Sequence, residues 1–281
     1  MRAAPAIDRG LLWEVRRGSH VSHLYGTLHV GKPQWVQPGP ALHRALDASD
    51  VLALEIDPDD PQLAAALSAA GPSLFVPNAS PDARQALQLR LQQAMDRACV
   101  PHAALAALHP LLQAVTLTVL EARWLGMDAQ YAQERMLSTW AADHGLPLVS
   151  LESAAQQVAL LLPDDAEAAR MSLQQLLTQL ENGSGRRVLQ RLAGAWEHGD
   201  LAMLADFERW CECAATETER DFMRKLNDDR NGPMADRIAA LHNTGKRVLV
   251  AVGALHMTGP RSLPKLLAQR GFEVRRIRFE R

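Results

Sequence analysis

Apolar positions in the first 60 residues come in short bursts separated by turns, at strand rather than helix spacing. Positions 11–16, the turn Arg17-Gly18-Ser19 and positions 21–28 read as an antiparallel hairpin. Positions 51–56 form a nearly continuous apolar run, as expected of a central buried strand. From about 60 to 226 alanine, leucine, glutamine and arginine dominate at helical spacing. The pattern predicts helices over 81–98, 103–124, 129–144, 171–180, 187–198, 200–213 and 216–226, interrupted by a short strand at 147–151. The α/β texture then returns, with a helix at 233–242, a strand at 247–252, a helix at 262–270 stopped by Gly271, and a strand at 272–279. Neither end carries enough strands to stand alone, so the two must meet in one sheet. The expectation is an α/β (α+β) fold in a single domain over 1–281. Its mixed central sheet is built from about 11–57 and 247–279, with a large helical insertion at about 60–226.

Two of these strands end alike. Gly26-Thr27-Leu28-His29 follows the run 21–25, and Gly253-Ala254-Leu255-His256 follows the run 248–252. A helix and a further strand come after each, so one βαβ-like unit is used at both ends of the chain. Glycine lets backbone turn tightly or approach a ligand closely, which makes Gly26 and Gly253 candidates for lining a substrate site. A histidine three residues on can point into the cleft at the strand ends, where α/β folds place ligands. His29 and His256 could therefore meet at one metal ion or catalytic centre, since imidazole is the commonest metal ligand. Each could instead cap a strand or bond a backbone carbonyl.

Glu55 is the third candidate. A carboxylate in the run Leu52-Ala53-Leu54-Glu55-Ile56 is costly to bury unpaired, so it escapes at the strand end or meets a cation. A metal, or a water that it deprotonates, would explain it; so would solvent or an arginine. Arg230-Asn231 could clamp a carboxylate or stabilise an oxyanion. From the sequence alone, a helix start with Asn231 as cap and Pro233 in the first turn is the stronger account. Glu152, after the short strand, could cap a helix or face the site, with the structural role favoured. His20 and His23 fall on opposite faces of a strand and are poor joint ligands.

Composition narrows the classes. Net charge is −2, which offers no electrostatic footprint for nucleic acid. No apolar run reaches the length needed to cross a bilayer, and 11–13 is too short for a signal-peptide core. As written the chain reads as cytoplasmic, or periplasmic or secreted if an export segment has been removed. The three cysteines, Cys99, Cys211 and Cys213, lack the spacing of a disulfide framework or a zinc-thiolate site and read as free thiols. There is no His-Glu-x-x-His, Gly-x-Ser-x-Gly, P-loop or Gly-x-Gly-x-x-Gly.

The ordered set of motifs resembles the TraB, GumN and TIKI family of proposed metal-dependent peptidases, most closely its GumN-like bacterial branch. The resemblance rests on 25–31 (Tyr-Gly-Thr-Leu-His-Val-Gly), the Leu-Glu-Ile-Asp run around Glu55, and 252–259 around His256. Also matching are Leu125-Gly126-Met127-Asp128, Leu151-Glu152 with Gln156, Trp196-x-x-Gly199-Asp200, and Arg230-Asn231-x-x-Met234-Ala235. It implies an active centre of His29, Glu55 and His256 with Arg230 and Asn231 nearby, and a divalent metal, manganese or cobalt. Zinc also suits this donor set. The reading is thus a metal-dependent hydrolase, first of all a peptidase, acting on a peptide or protein substrate. His29, His256 and Glu55 would hold the metal, with Glu55 as ligand or general base, and Arg230 and Asn231 would orient substrate or stabilise the oxyanion. Its rivals are a non-catalytic protein that sequesters a peptide or other ligand in the same cleft, and an ester or lactone hydrolase that needs no metal. Oligomeric state is not legible.

Overall fold

The computed structural model describes residues 6–71, 80–163 and 165–279. Six strands among them form one mixed sheet: β1 (Leu11–Arg17), β2 (His20–Thr27), β3 (Val51–Leu54), β4 (Leu148–Ser150), β5 (Val248–Gly253) and β6 (Glu273–Ile277), in the order β4-β3-β5-β2-β1-β6. β1 runs antiparallel to both β2 and β6. β2, β5, β3 and β4 run parallel to one another. The two ends of the chain do meet, because β5 inserts between β2 and β3. The fold class is the expected mixed α/β arrangement.

The centre of the sheet explains its stability. Val248 to Val252 of β5 are each 0% exposed. Fully burying one large aliphatic side chain contributes roughly 1.5–3 kcal/mol, so this strand is a main source of cohesion. β2 leads through the helix Pro40–Asp47 to β3, and β5 leads through the helix Leu263–Gln269 to β6. Each connection joins parallel strands, so the repeated unit is a true crossover at both ends.

The chain divides into two compact units. The first comprises Met1–Pro58, Ala129–Glu152 and Arg191–Arg281 and holds the whole sheet. The second comprises Asp59–Asp128 and Ser153–Gln190. It is helical, and its core joins Leu87, Leu91 and Met95 of the helix Pro81–Arg97 to Leu111 and Leu117 of Pro110–Leu120 and to Leu173 and Leu177 of Ala166–Asn182. Helix starts follow local chemistry: Ser80 and Asp165 cap their helices, and Pro81 and Pro110 occupy first turns.

Four sequence expectations change. The helix over 103–124 is broken into His102–Leu105, Pro110–Leu120 and a 3-10 turn, Glu121–Leu125. Pro110 cannot continue a helix and forces His109 into extended backbone, whose ring then caps the new start. The helix over 200–213 is likewise split, into Leu201–Ala205 and Phe207–Trp210. The helix expected to start at 233 starts five residues earlier, as Asp228–Asn243, with Pro233 inside it. Asn231 is therefore a helical residue and not a cap. Cys211 and Cys213 are not free thiols but a disulfide, with Cα atoms 5.1 Å apart.

Candidate functional site

β2 and β5 lie side by side and parallel, with Gly26 opposite Val252 and Thr27 opposite Gly253. Both Gly-x-Leu-His segments therefore leave the sheet at the same carboxyl edge. They touch there: a Cβ on Gly26 would lie 3.1 Å from the Cα of Ala254. The first turn is anchored from three sides. The buried indole of Trp196 donates to the Gly26 carbonyl at 2.7 Å. The Leu28 amide donates to the side-chain carbonyl of Gln133 at 3.0 Å. Gly31 lies so near residue 131 that a Cβ would come within 2.0 Å of the Tyr131 carbonyl oxygen. Glu134, next to Gln133 on the helix Gln133–Asp143, is thereby placed with its Oε1 3.0 Å from His29 Nδ1. Thr27 Oγ1 donates to the same oxygen.

The second histidine is held in the same manner but buried. His256 sits in the 3-10 turn Ala254–Met257 and is 3% exposed. Its Nδ1 is 2.7 Å from Asn231 Oδ1. The Asn231 amide donates to the Arg261 carbonyl at 3.0 Å, which orients its oxygen toward the ring. Nδ1 therefore carries the proton, and the Nε2 lone pair faces Arg230 Nη1 at 3.3 Å and Glu55 Oε1 at 3.7 Å.

Glu55 follows β3 directly and is 6% exposed. Its Oε1 accepts the Gly253 amide at 2.6 Å, and its Oε2 accepts from Arg230. Arg230 also donates to Glu152 from Nε at 2.9 Å and to the Leu226 carbonyl at 2.9 Å. A guanidinium has five N–H donors, and here each has an acceptor. All three sequence candidates converge beside Gly253. A Cβ built there would lie 3.3 Å from Glu55 Oε1, 3.6 Å from His256 Cδ2 and 4.0 Å from His29 Nε2.

The electrostatics split the two histidines. The Glu134 carboxylate outweighs desolvation and raises His29 to about 9. Burial lowers His256 to about 4. Burial would raise the Glu55 carboxyl, but His256 when protonated, Arg230, His29 and the Gly253 amide hold it below the usual carboxylate range. Burial opposes Glu134 too, and His29 and Thr27 overcome it. Two carboxylates, Glu55 and Glu152, bond the one permanent cation, Arg230, and a third, Glu134, faces His29, so carboxylates outnumber permanent cations at the site.

A divalent metal, the group implied by the sequence, fits this donor set in kind. Both imidazoles have Nδ1 tied to a fixed oxygen and Nε2 toward the centre, as metal-ligating histidines do, but His256 Nε2 already accepts from Arg230 Nη1, which a metal there would displace. The excess negative charge also favours a cation. Among the described residues no three His, Cys, Asp or Glu side chains already stand at metal-ligating separation.

Sequence reasoning missed Glu134 and gave Glu152 a structural role. A signal existed for the first. Gln133, Leu137 and Ala141 form the buried stripe of their helix, and a fully buried glutamine heading an otherwise apolar stripe marks a polar partner close by.

No helix among the described residues is long and apolar enough to cross a membrane. No solved structure matches this chain significantly. Two curated relatives, both described as uncharacterized protein YbaP, are each 27% identical to it. The one from Shigella flexneri aligns over 94% of this chain and 92% of its own, the one from Escherichia coli (strain K12) over 91% and 96%. The family model described as the TraB/PrgY/gumN family matches residues 11–276, which spans both Gly-x-Leu-His segments, Glu55, Glu134, Glu152 and Arg230. The chain belongs to the TraB/PrgY/gumN family.

Proposed function

We propose that this chain is a hydrolase, acting first of all on peptide bonds, with His29, Glu55 and His256 at its centre. The observation that supports this most is the matched orientation of the imidazoles: each is tied through Nδ1, to Glu134 or Asn231, and each turns Nε2 toward Glu55 beside Gly253. A divalent metal, manganese, cobalt or zinc, held by His29, His256 and Glu55 would supply a Lewis acid and an activated water at that point.

The chain's own residues do the rest. Glu134 and Thr27 fix the exposed His29 ring, and Asn231 fixes the buried His256 ring. Glu55 is kept ionised, the state in which a carboxylate ligates a metal, and a carboxyl held this far below its usual range is a weak base toward water. Arg230 has acceptors on every N–H, and Asn231 is 0% exposed. Both therefore act by positioning Glu55 and His256 and do not grip the substrate. Gly26 brings the first turn against the second, and Gly253 leaves its bare Cα facing the centre, where substrate can lie close.

A second reading, hydrolysis of esters, lactones or peptides without a metal, is favoured by Arg230. It already places a permanent cation on Glu55, and Glu134 behind His29 makes an oriented acid–base pair. Chelator-treated protein assayed on quenched fluorescent peptides and chromogenic esters, with and without manganese, cobalt or zinc, separates these readings. Metal-dependent turnover, lost by roughly 10²-fold in Glu55→Gln, supports the first. A metal-induced rise in melting temperature abolished by His29→Ala and His256→Ala supports it further. Turnover indifferent to chelation but lost in Glu55→Gln supports the second. If peptides bind and nothing is turned over, the hydrolase proposal fails and the cleft sequesters its ligand.

A further inference from the structure

The Cys211–Cys213 disulfide lies outside the centre just described and is poorly suited to a structural task. A disulfide stabilises a fold chiefly by constraining the unfolded chain, and the effect shrinks with the loop it closes. This one joins cysteines two positions apart. The residue between them, Glu212, has φ 56 and is one of two non-glycine residues with positive φ among those described. The left-handed region is unfavourable for a residue with a Cβ, so the short ring is held shut against its own backbone.

The two sulfurs are also unequal. Cys211 is buried, Glu212 is exposed and Cys213 is half-buried, so Cys213 is the more approachable partner. The Cys213 amide lies 3.1 Å from Cys211 Sγ and donates to it, a contact that favours negative charge on that sulfur. A surface hollow of about 520 Å³ reaches Glu212 between the two cysteines, which do not themselves line it, and is lined also by Arg191, Glu208, Arg209 and Trp210. Arg191 lies over the Trp210 ring at 4.5 Å.

From the strained three-residue ring, the unequal sulfurs and the adjoining hollow we propose that Cys211 and Cys213 are a thiol–disulfide exchange site for low-molecular-weight thiols. A thiolate attacks Cys213 Sγ and forms a mixed disulfide there. The Cys211–Cys213 bond breaks, and its electron pair leaves on Cys211 Sγ, where the Cys213 amide meets it. A second thiolate attacks the small-molecule sulfur of the mixed disulfide and releases Cys213. In balance, two small thiols become one disulfide, and two electrons and two protons pass to the cysteine pair. Strained or exposed disulfides are the labile ones, whereas structural ones resist the glutathione pool.

The test uses the full chain equilibrated in buffers of graded reduced-to-oxidised glutathione ratio, acid-quenched, alkylated and read by mass of the 211–213 peptide. Wild type should pass from oxidised to reduced within the accessible range of ratios. Glu212→Gly, which removes the left-handed penalty, should need a roughly threefold to tenfold more reducing ratio. Glu212→Val, which a left-handed backbone suits least, should be reduced more easily than wild type. Circular dichroism checks that both variants fold. A wild-type pair that stays oxidised at every ratio overturns the proposal, as does a midpoint that does not follow the order Gly, Glu, Val.

Discussion

Replacing Arg230 with methionine keeps most of the side-chain volume and removes one charge, at a point where two carboxylates depend on it. Arg230, Glu55 and Glu152 have side chains only 10%, 8% and 10% exposed. Breaking a buried ion pair by removing one partner costs about 3–5 kcal/mol, because the charge left behind is neither paired nor hydrated. A proton limits the loss. A carboxyl of ordinary pKa near 4.3 can be neutralised at pH 7 for about 3.7 kcal/mol and at pH 5 for about 1 kcal/mol. In wild type the folded Glu55 carboxyl is held below its unfolded value, so its contribution is present above the unfolded pKa and is lost only as pH falls through the lower folded one. In the variant, burial without Arg230 raises the folded pKa, so the penalty is largest at neutral pH and fades on acidification. The expected deficit is therefore about 3–4 kcal/mol at pH 7, falling to about 1 kcal/mol at pH 5. Denaturant unfolding of chelator-treated protein, followed by tryptophan fluorescence, measures it. Five of the six tryptophans, all but Trp124, lie in the unit that holds Arg230. A deficit below about 1 kcal/mol at pH 7, or one that grows toward pH 5, would refute the reasoning.

Two further substitutions probe how the first motif is anchored. Trp196→Phe removes the indole donor to the Gly26 carbonyl and part of a fully buried ring, for a loss of about 1–3 kcal/mol in the same fluorescence-monitored unfolding. An unchanged midpoint would mean that the contact carries no net stability. Gly31→Ala drives a Cβ within 2.0 Å of the Tyr131 carbonyl oxygen and should lower the melting temperature sharply. Gly18→Ala, in the β1–β2 turn at φ +63 with nothing within 4 Å, should cost only about 1 kcal/mol. Equal losses in the two alanine variants, read by thermal unfolding, would count against the close approach as the reason for Gly31.

Period-two and helical spacings are local, so the sequence by itself determined where most elements lie, and the apolar run at 51–56 marked Val51–Leu54 as a central strand. It also determined that two glycine–histidine segments end equivalent strands and that Glu55 follows a buried one. Only the tertiary structure decided that β5 inserts beside β2 in parallel, which puts both segments at one edge and gathers His29, Glu55 and His256 around Gly253. Glu134 and Arg230 reach the centre from positions 107 residues beyond Thr27 and 175 beyond Glu55, a separation that no local pattern encodes. Pro233 reads locally as a helix start, yet it lies inside a helix that packs Asn231 against His256. The Cys211–Cys213 bond, too, depended on backbone at Glu212 that composition and spacing do not announce. The division follows from range: periodicity reports which face of an element is buried, whereas the partner of a buried polar group is set by how distant segments pack.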